Sequence, residues 1–190
     1  MVAAREAWLR LQPELDLNRL VFLDETGSNA AMSRRVAWSP RGERVALSRP
    51  SYASNISLVG AMALDGVRTS MAVTGSIDGD VFLAFVEHFL VPVLKPGDIV
   101  VMDNLRVHKV EGVQELIEAA GAQVLYQPPY SPDLNPIELL WAWLKCGIRA
   151  AGPRSIQRVK DTMGALLRAL PVEHCAAWFR HCGYGRPQES

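Results

Sequence analysis

The sequence predicts an α/β fold, a mixed sheet with helices on both faces, and three observations predict it. Apolar strand-like runs come first and are joined by turn signals, as in an antiparallel meander. From residue 78 onward, helical stripes alternate with short apolar strands. Two of the runs, LVFL at 20–23 and IVVM at 99–102, are unbroken by polar residues, as strands covered on both faces are. A chain of 190 residues with 49% hydrophobic residues can bury one full core, and its 21% charged residues are too few for a disordered chain.

The elements follow in order. Residues 4–12, AREAWLRLQ, have helical spacing at Ala4, Trp8 and Leu11 until Pro13 interrupts, so residues 1–17 read as a short lead-in helix or linker. LNRLVFLDET at 17–26 is a buried strand, after which Gly27, Ser28 and Asn29 turn the chain. RRVAWSPRGERVALS places a turn at Pro40-Arg41-Gly42 and predicts a hairpin at about 35–48. ISLVGAMAL at 56–64 is a strand, Asp65-Gly66 is a hairpin turn and VRTSMAVTG at 67–75 is its return. A helix is predicted at about 78–91, capped by Asp78, with Val81, Phe82, Phe85, Phe89 and Leu90 as its stripe; Pro92 and Pro96 end it. DIVVM is the next strand, a helix follows at about 110–120, and AQVLYQ is a further short strand. The helix opened by Pro136 runs to about Ile148 and buries Ile137, Leu140, Trp141, Leu144 and Ile148. Two more helices, at 155–169 and 172–181, make residues 151–190 a helical extension of the domain formed by 18–150. A parallel crossover from the first strand to 98–102 brings Asp24 and Asp103 side by side at one edge of the sheet.

Three carboxylates carry the chemistry. Asp24 ends LVFL, Asp103 ends IVVM, and Glu138 stands on the first turn of a helix with 34 residues between it and Asp103. Magnesium favours oxygen ligands and keeps several waters, so a few carboxylates plus a substrate phosphate suit it. Two such ions clamp the attacking and leaving oxygens of an in-line phosphoryl displacement. Plainer readings stand beside this one: Glu138, three residues after Asn135, holds the place of a capping-box glutamate, and strand-end aspartates commonly accept loop hydrogen bonds. The net charge is zero, but it is unevenly spread. Residues 27–50 hold five Arg against one Glu, and 141–190 hold eight basic residues against three acids, whereas 51–140 hold four against eleven. Basic flanks around an acidic centre suit a phosphodiester substrate, and a merely solvated basic surface is the alternative. Lys145 and Arg149 lie in near register with Glu138 on one helix face, as a track for phosphates would.

VFLDET, VVMDNLRVHK and YSPDLNPIE, in this order and spacing, resemble the catalytic domain of DDE transposases, and within that superfamily the mariner-related bacterial insertion-sequence transposases. The resemblance covers residues 18–150. It implies an RNase H-like fold, a mixed five-stranded sheet of order 3-2-1-4-5. It also implies that Asp24 bridges two Mg²⁺ or Mn²⁺ ions when DNA is bound, with Asp103 and Glu138 each holding one side. His108 matches a histidine near the second aspartate in relatives, where it contacts the scissile phosphate or orients a ligand; an ordinary loop histidine is the other reading. Asn104 and Glu25 are expected behind the ligands, Glu25 pointing away from Asp24 because neighbouring residues of a strand alternate. Arg34, Arg35, Arg41, Arg44, Lys109, Lys145 and Arg149 are the expected DNA contacts. The expected function is cutting transposon ends and joining them to target DNA, with a homodimer as the active form. Relatives carry DNA-binding modules before the first aspartate, and here 23 residues precede Asp24. The chain therefore reads as a catalytic half whose DNA-binding module another chain could supply. A silent truncated copy that regulates a full-length transposase and a structure-selective RNase H-like nuclease are the alternatives. No apolar run reaches membrane-spanning length, the first residues carry charges where a signal peptide is apolar, and Cys146, Cys175 and Cys182 are an odd, sparse set, so the cytoplasm is expected.

Overall fold

The computed structural model describes residues 2–32, 39–43 and 54–185. In chain order the elements are α1 (Val2–Leu11), β1 (Leu20–Asn29), β2 (Asn55–Ala63), β3 (Gly66–Thr74), α2 (Gly79–Phe85), β4 (Ile99–Met102), α3 (Val113–Ala119), β5 (Gln123–Tyr126), α4 (Pro136–Ala151), α5 (Ile156–Arg168) and α6 (Val172–His181). The five strands form one sheet of order β3-β2-β1-β4-β5, as expected. β1 pairs antiparallel with β2 and parallel with β4, β2 pairs antiparallel with β3, and β4 pairs parallel with β5.

Alternation along β1 divides the core. Leu20 and Phe22 join one buried cluster with Trp141, Leu144, Ile148, Phe179 and Tyr184, while Val21 and Leu23 join another with Phe82, Phe85, Val113 and Ile117. The first cluster lies under α4, α5 and α6 and includes Trp8 of α1; the second lies under α2 and α3. Phe22 shows how the C-terminal helices are held. Its ring is fully buried and meets Phe179 and Tyr184 edge-on at centroid distances of 5.2 and 5.1 Å. Burying such a side chain is worth roughly 1.5–3 kcal/mol, and each edge-on contact adds about 0.5–1.5. At the base of the sheet, Arg68 on β3 and Asp98 before β4 form an ion pair of 2.6 Å with side chains 9% and 1% exposed.

The structure differs from the sequence expectations in three places. β1 does not turn after Thr26: it begins at Leu20 and continues through the expected turn to Asn29, pairing with β2 through Asn29↔Asn55. Thr26 and Ser28 are buried while Gly27 is exposed, so the period of two persists in small polar residues that had the composition of a turn. The helix predicted at 78–91 is α-helical only to Phe85, then forms a π-helical turn over Val86–Leu90 and a 3₁₀ turn over Val91–Val93 that ends before the second proline. In the β2–β3 hairpin Gly66 (φ 130°) is the first residue of β3 rather than the second of the turn, paired with Ala63. The predicted hairpin at 35–48 lies outside the described residues except for 39–43. There Glu43 N donates to Pro40 O at 3.1 Å and closes the expected turn.

Candidate active site

Parallel pairing runs Leu20↔Ile99, Val21↔Val100, Phe22↔Val101. Two residues further along each strand stand Asp24 and Asp103, so the register sets them side by side where β4 ends and β1 continues. α4 crosses the same face as Asp24, and its first turn supplies Glu138. All three carboxylates line one cleft of about 410 Å³, whose other walls include Asn104, Gln127, Tyr130 and Asn135.

Asp24 is the buried member, 7% exposed. Its Oδ1 accepts from Glu25 N at 2.8 Å and its Oδ2 from the Trp141 indole Nε1 at 3.3 Å. Burial, and then the charge of Glu138, push its carboxyl up to about 7; Glu25 and Asp103 push the same way against the Glu25 amide. The indole reaches Asp24 because of the strand beside it. Asp24 pairs with Gly60 on β2, and a Cβ on Gly60 would lie 3.0 Å from Trp141 Cη2. Glycine within a strand here marks the close approach of a ring.

Asp103, with a side chain 39% exposed, is held by His108. His108 is fully buried, its Nδ1 2.6 Å from Asp103 Oδ1 and its Nε2 2.8 Å from Glu25 Oε2, with its ring 4.7 Å from that of Phe82. Burial disfavours the imidazolium, but hydrogen bonds to Asp103 and then Glu25, with their charges, outweigh it and push His108 up to about 10. Both ring nitrogens therefore carry protons at neutral pH and donate. Burial pushes the Asp103 carboxyl up, yet the His108 hydrogen bond, the Leu105 amide at 3.0 Å and the His108 charge together hold it below the usual range. The His108 ring is buried behind Asp103 and does not line the cleft. Glu25 points away from Asp24, as strand alternation requires, and its contact with Asp103 runs through His108.

Glu138 is exposed and is not a capping-box residue. Asn135 precedes α4, but its side chain makes no cap bond, and its Oδ1 is buried without a hydrogen-bond partner. Asp133 is outside this group, paired with Arg5 of α1 on the surface. Among the expected DNA contacts, Lys145 and Arg149 line a separate groove with Ser28 and Asn29. Lys109 stands over the Tyr126 ring, 5.2 Å from its centroid, and away from the carboxylate cleft. Arg41 is exposed in the 39–43 turn, and Arg34, Arg35 and Arg44 lie outside the described residues. Trp141 and Tyr130 are the residues that the sequence reading missed as part of the site. Trp141 follows Glu138 by one helical turn, which was a usable signal. Tyr130, 90% exposed with φ 55°, stands among Pro128, Pro129 and Pro132 at the mouth of the cleft.

Residues 19–162 match the profile of the family described as DDE superfamily endonuclease. The chain belongs to the DDE superfamily of endonucleases. No curated protein matches the sequence. Solved structures similar to this DDE-family chain include the Mos1 transposase paired-end complex with left transposon end (18% identity, TM-score 0.72, covering 95% of this chain and 57% of that one). The mariner Mos1 paired end complex with Mg matches at 18% identity and TM-score 0.74 over 95% and 57%. The catalytic domain of Mos1 mariner transposase matches at 19% and 0.65, over 95% and 85%. At these identities the likeness is one of fold, the RNase H-like arrangement of five strands. The chain spans little more than half of the transposases in those complexes.

The donor set of this DDE-family cleft fits a hard divalent cation. Asp24, Asp103, Glu138, Gln127 and Asn135 offer oxygen, and one of those oxygens, Asn135 Oδ1, is buried and unpartnered. Burial first, and then repulsion from Glu138, raise the Asp24 carboxyl, and a bound cation would offset both by favouring the ionised form. Among the described residues, no three His, Cys, Asp or Glu side chains gather tightly enough to surround a single ion. No helix among them is long and apolar enough to cross a membrane.

Proposed function

We propose that the chain is the catalytic part of a transposase, a metal-dependent DNA endonuclease and strand transferase acting at transposon ends. The observation that carries this reading is the meeting of Asp24, Asp103 and Glu138 in one cleft on three elements distant in sequence. Asp24, Asp103 and Glu138 would together hold the Mg²⁺ or Mn²⁺ ions, two of them when DNA is bound. Bound there, the ions would supply activation of the attacking oxygen and neutralisation of the leaving one. The protein's own part is positional. His108 keeps Asp103 ionised and turned toward the cleft, Trp141 and the Glu25 amide fix Asp24, and the rigid frame of β1 and α4 sets the spacing. Asn104 is exposed and lines the same cleft, and in this reading it hydrogen-bonds a ligand or a phosphate there. A homodimer on DNA is the proposed assembly, and it works in the cytoplasm. Residues 18–150 are the catalytic domain in this reading, and α5 and α6 its extension.

The test is nicking of supercoiled plasmid with Mg²⁺ or Mn²⁺, comparing wild type with Asp103→Asn and Glu138→Gln of matched folding. Nicking by the wild type alone is the expected result. Equal nicking by all three would remove the carboxylates from the mechanism. A wild type that cuts branched DNA without regard to transposon ends would be a structure-selective nuclease, and one that never cuts but copurifies with a full-length transposase would be a regulatory partner.

A further inference from the structure

Beyond the carboxylate cleft, β1 and α4 continue side by side. On α4, Lys145 and Arg149 lie seven and eleven residues past Glu138, about 10 and 16 Å at 1.5 Å per residue. On β1, Ser28 and Asn29 lie four and five residues past Asp24, about 13 and 16 Å at strand rise. The two elements advance in step and meet again at a groove of about 430 Å³ lined by Ser28, Asn29, Asn55, Ser57, Lys145 and Arg149. No carboxylate among the described residues lines it, in contrast with the first cleft. Lys145 and Arg149 are half-buried and have no ion-pair partner among the described residues. Ser28 is 5% exposed, and its Oγ is buried with no hydrogen-bond partner. A sequestered hydroxyl without a partner is costly, and one that shares a groove with two cations can be satisfied by an anion's oxygen.

We propose that this groove is a second phosphate-binding subsite, which holds the DNA backbone about three to five base-pair steps from the carboxylate centre, given a rise of about 3.4 Å per step. It rests on the reading that the chain acts on DNA. The Lys145 and Arg149 side chains supply the charge, and the hydroxyl of Ser28 supplies a directed hydrogen bond. Together they fix the path of the strand leaving the cleft, so that α4 carries a metal-binding acid at its head and the phosphate anchor near its end.

The test is binding of labelled duplex DNA by the full chain over a range of salt concentrations. Wild type is compared with Lys145→Gln/Arg149→Gln, which keeps most of the side-chain stems, and with Ser28→Ala. The slope of log affinity against log salt falls in magnitude by about 1.8 in the double variant, the value for two lost phosphate contacts. Ser28→Ala weakens binding about two- to tenfold, as loss of one hydrogen bond does, while its melting temperature is unchanged or higher because the hydroxyl has no partner to lose. Unchanged slopes and affinities overturn the subsite. So does a result in which inorganic phosphate raises the wild-type melting temperature, but not that of the variants, while DNA binding is the same in all; the groove would then take free anions. A wild type that nicks while the slopes coincide removes the subsite alone. One that loses slope in the double variant yet never nicks removes the endonuclease reading alone, and absence of salt-dependent binding removes both.

Discussion

Replacing Asp24 by asparagine should stabilise the metal-free chain while abolishing its activity. Asp24 has an ordinary carboxyl value of 3.8 in the unfolded chain and about 7 in the folded one. A raised value means that the folded state holds the proton more tightly. The stability this confers is fully present below pH 3.8 and is lost as pH rises through 7. The whole loss corresponds to about 4 kcal/mol. Asparagine never ionises, so it escapes this loss, but its NH2 replaces one of the two oxygens that accept from Glu25 N and Trp141 Nε1 and sets donor against donor there, which costs about 1 kcal/mol. The variant should therefore be about 3 kcal/mol more stable than wild type at pH 8 in EDTA, and equal or slightly less stable near pH 4. Urea unfolding of both proteins at the two pH values measures this, and taking the difference between them cancels the titrating groups that do not interact with Asp24. Added Mg²⁺ should narrow the gap at pH 8 by stabilising the wild type alone. A difference that does not change with pH would refute the argument that burial and Glu138 strain the ionised carboxylate.

Three further outcomes follow from the same geometry. His108→Ala leaves Asp103 and Glu25 without their shared donor, and nicking should drop about 10- to 100-fold with a weaker apparent metal affinity, read from the Mg²⁺ dependence of the rate. Gly60→Ala brings a Cβ to 3.0 Å from Trp141, and urea unfolding should show a loss of about 1–3 kcal/mol, with a fall in nicking as the indole leaves Asp24. Arg68→Ala strands the 1%-exposed Asp98 and should cost about 3–5 kcal/mol in the same assay, with part of it recovered when Asp98→Asn is added.

Much of this arrangement was legible in the sequence, and its gaps have physical causes. Asp24 and Asp103 were visible because each closes an unbroken apolar run, and α4 because Pro136 and a clear stripe announce it. The strand order came from the family resemblance; hydrophobic patterning alone leaves several orders open. The far half of β1 was hidden because Gly27, Ser28 and Asn29 have turn composition, although Thr26 and Ser28 keep the alternation. Glu25 was assigned to the correct face, but its bond to His108 joins residues 83 positions apart, and no local pattern encodes it. Lys109 stands over Tyr126, a contact between residues 17 positions apart that no local pattern encodes. The indole of Trp141 was read only as core because its apolar bulk dominates the helix stripe, and the sequence does not show that Gly60 leaves room for the ring to reach a carboxylate.

β1 also constrains how this gene can change. Asp24 belongs to one face of the strand with Phe22 and Ser28, and Glu25 to the other with Leu23. Loss or gain of a single codon between Leu20 and Asp24 would move every later residue of the strand by one place, putting Asp24 on the face of the buried imidazolium and Glu25 on the face of Trp141 while the residues before the change kept their sides. Point changes at positions other than Asp24 can be absorbed here one at a time, but changes in length cannot. The ten codons of β1 should therefore vary among descendants in spelling and hold constant in number.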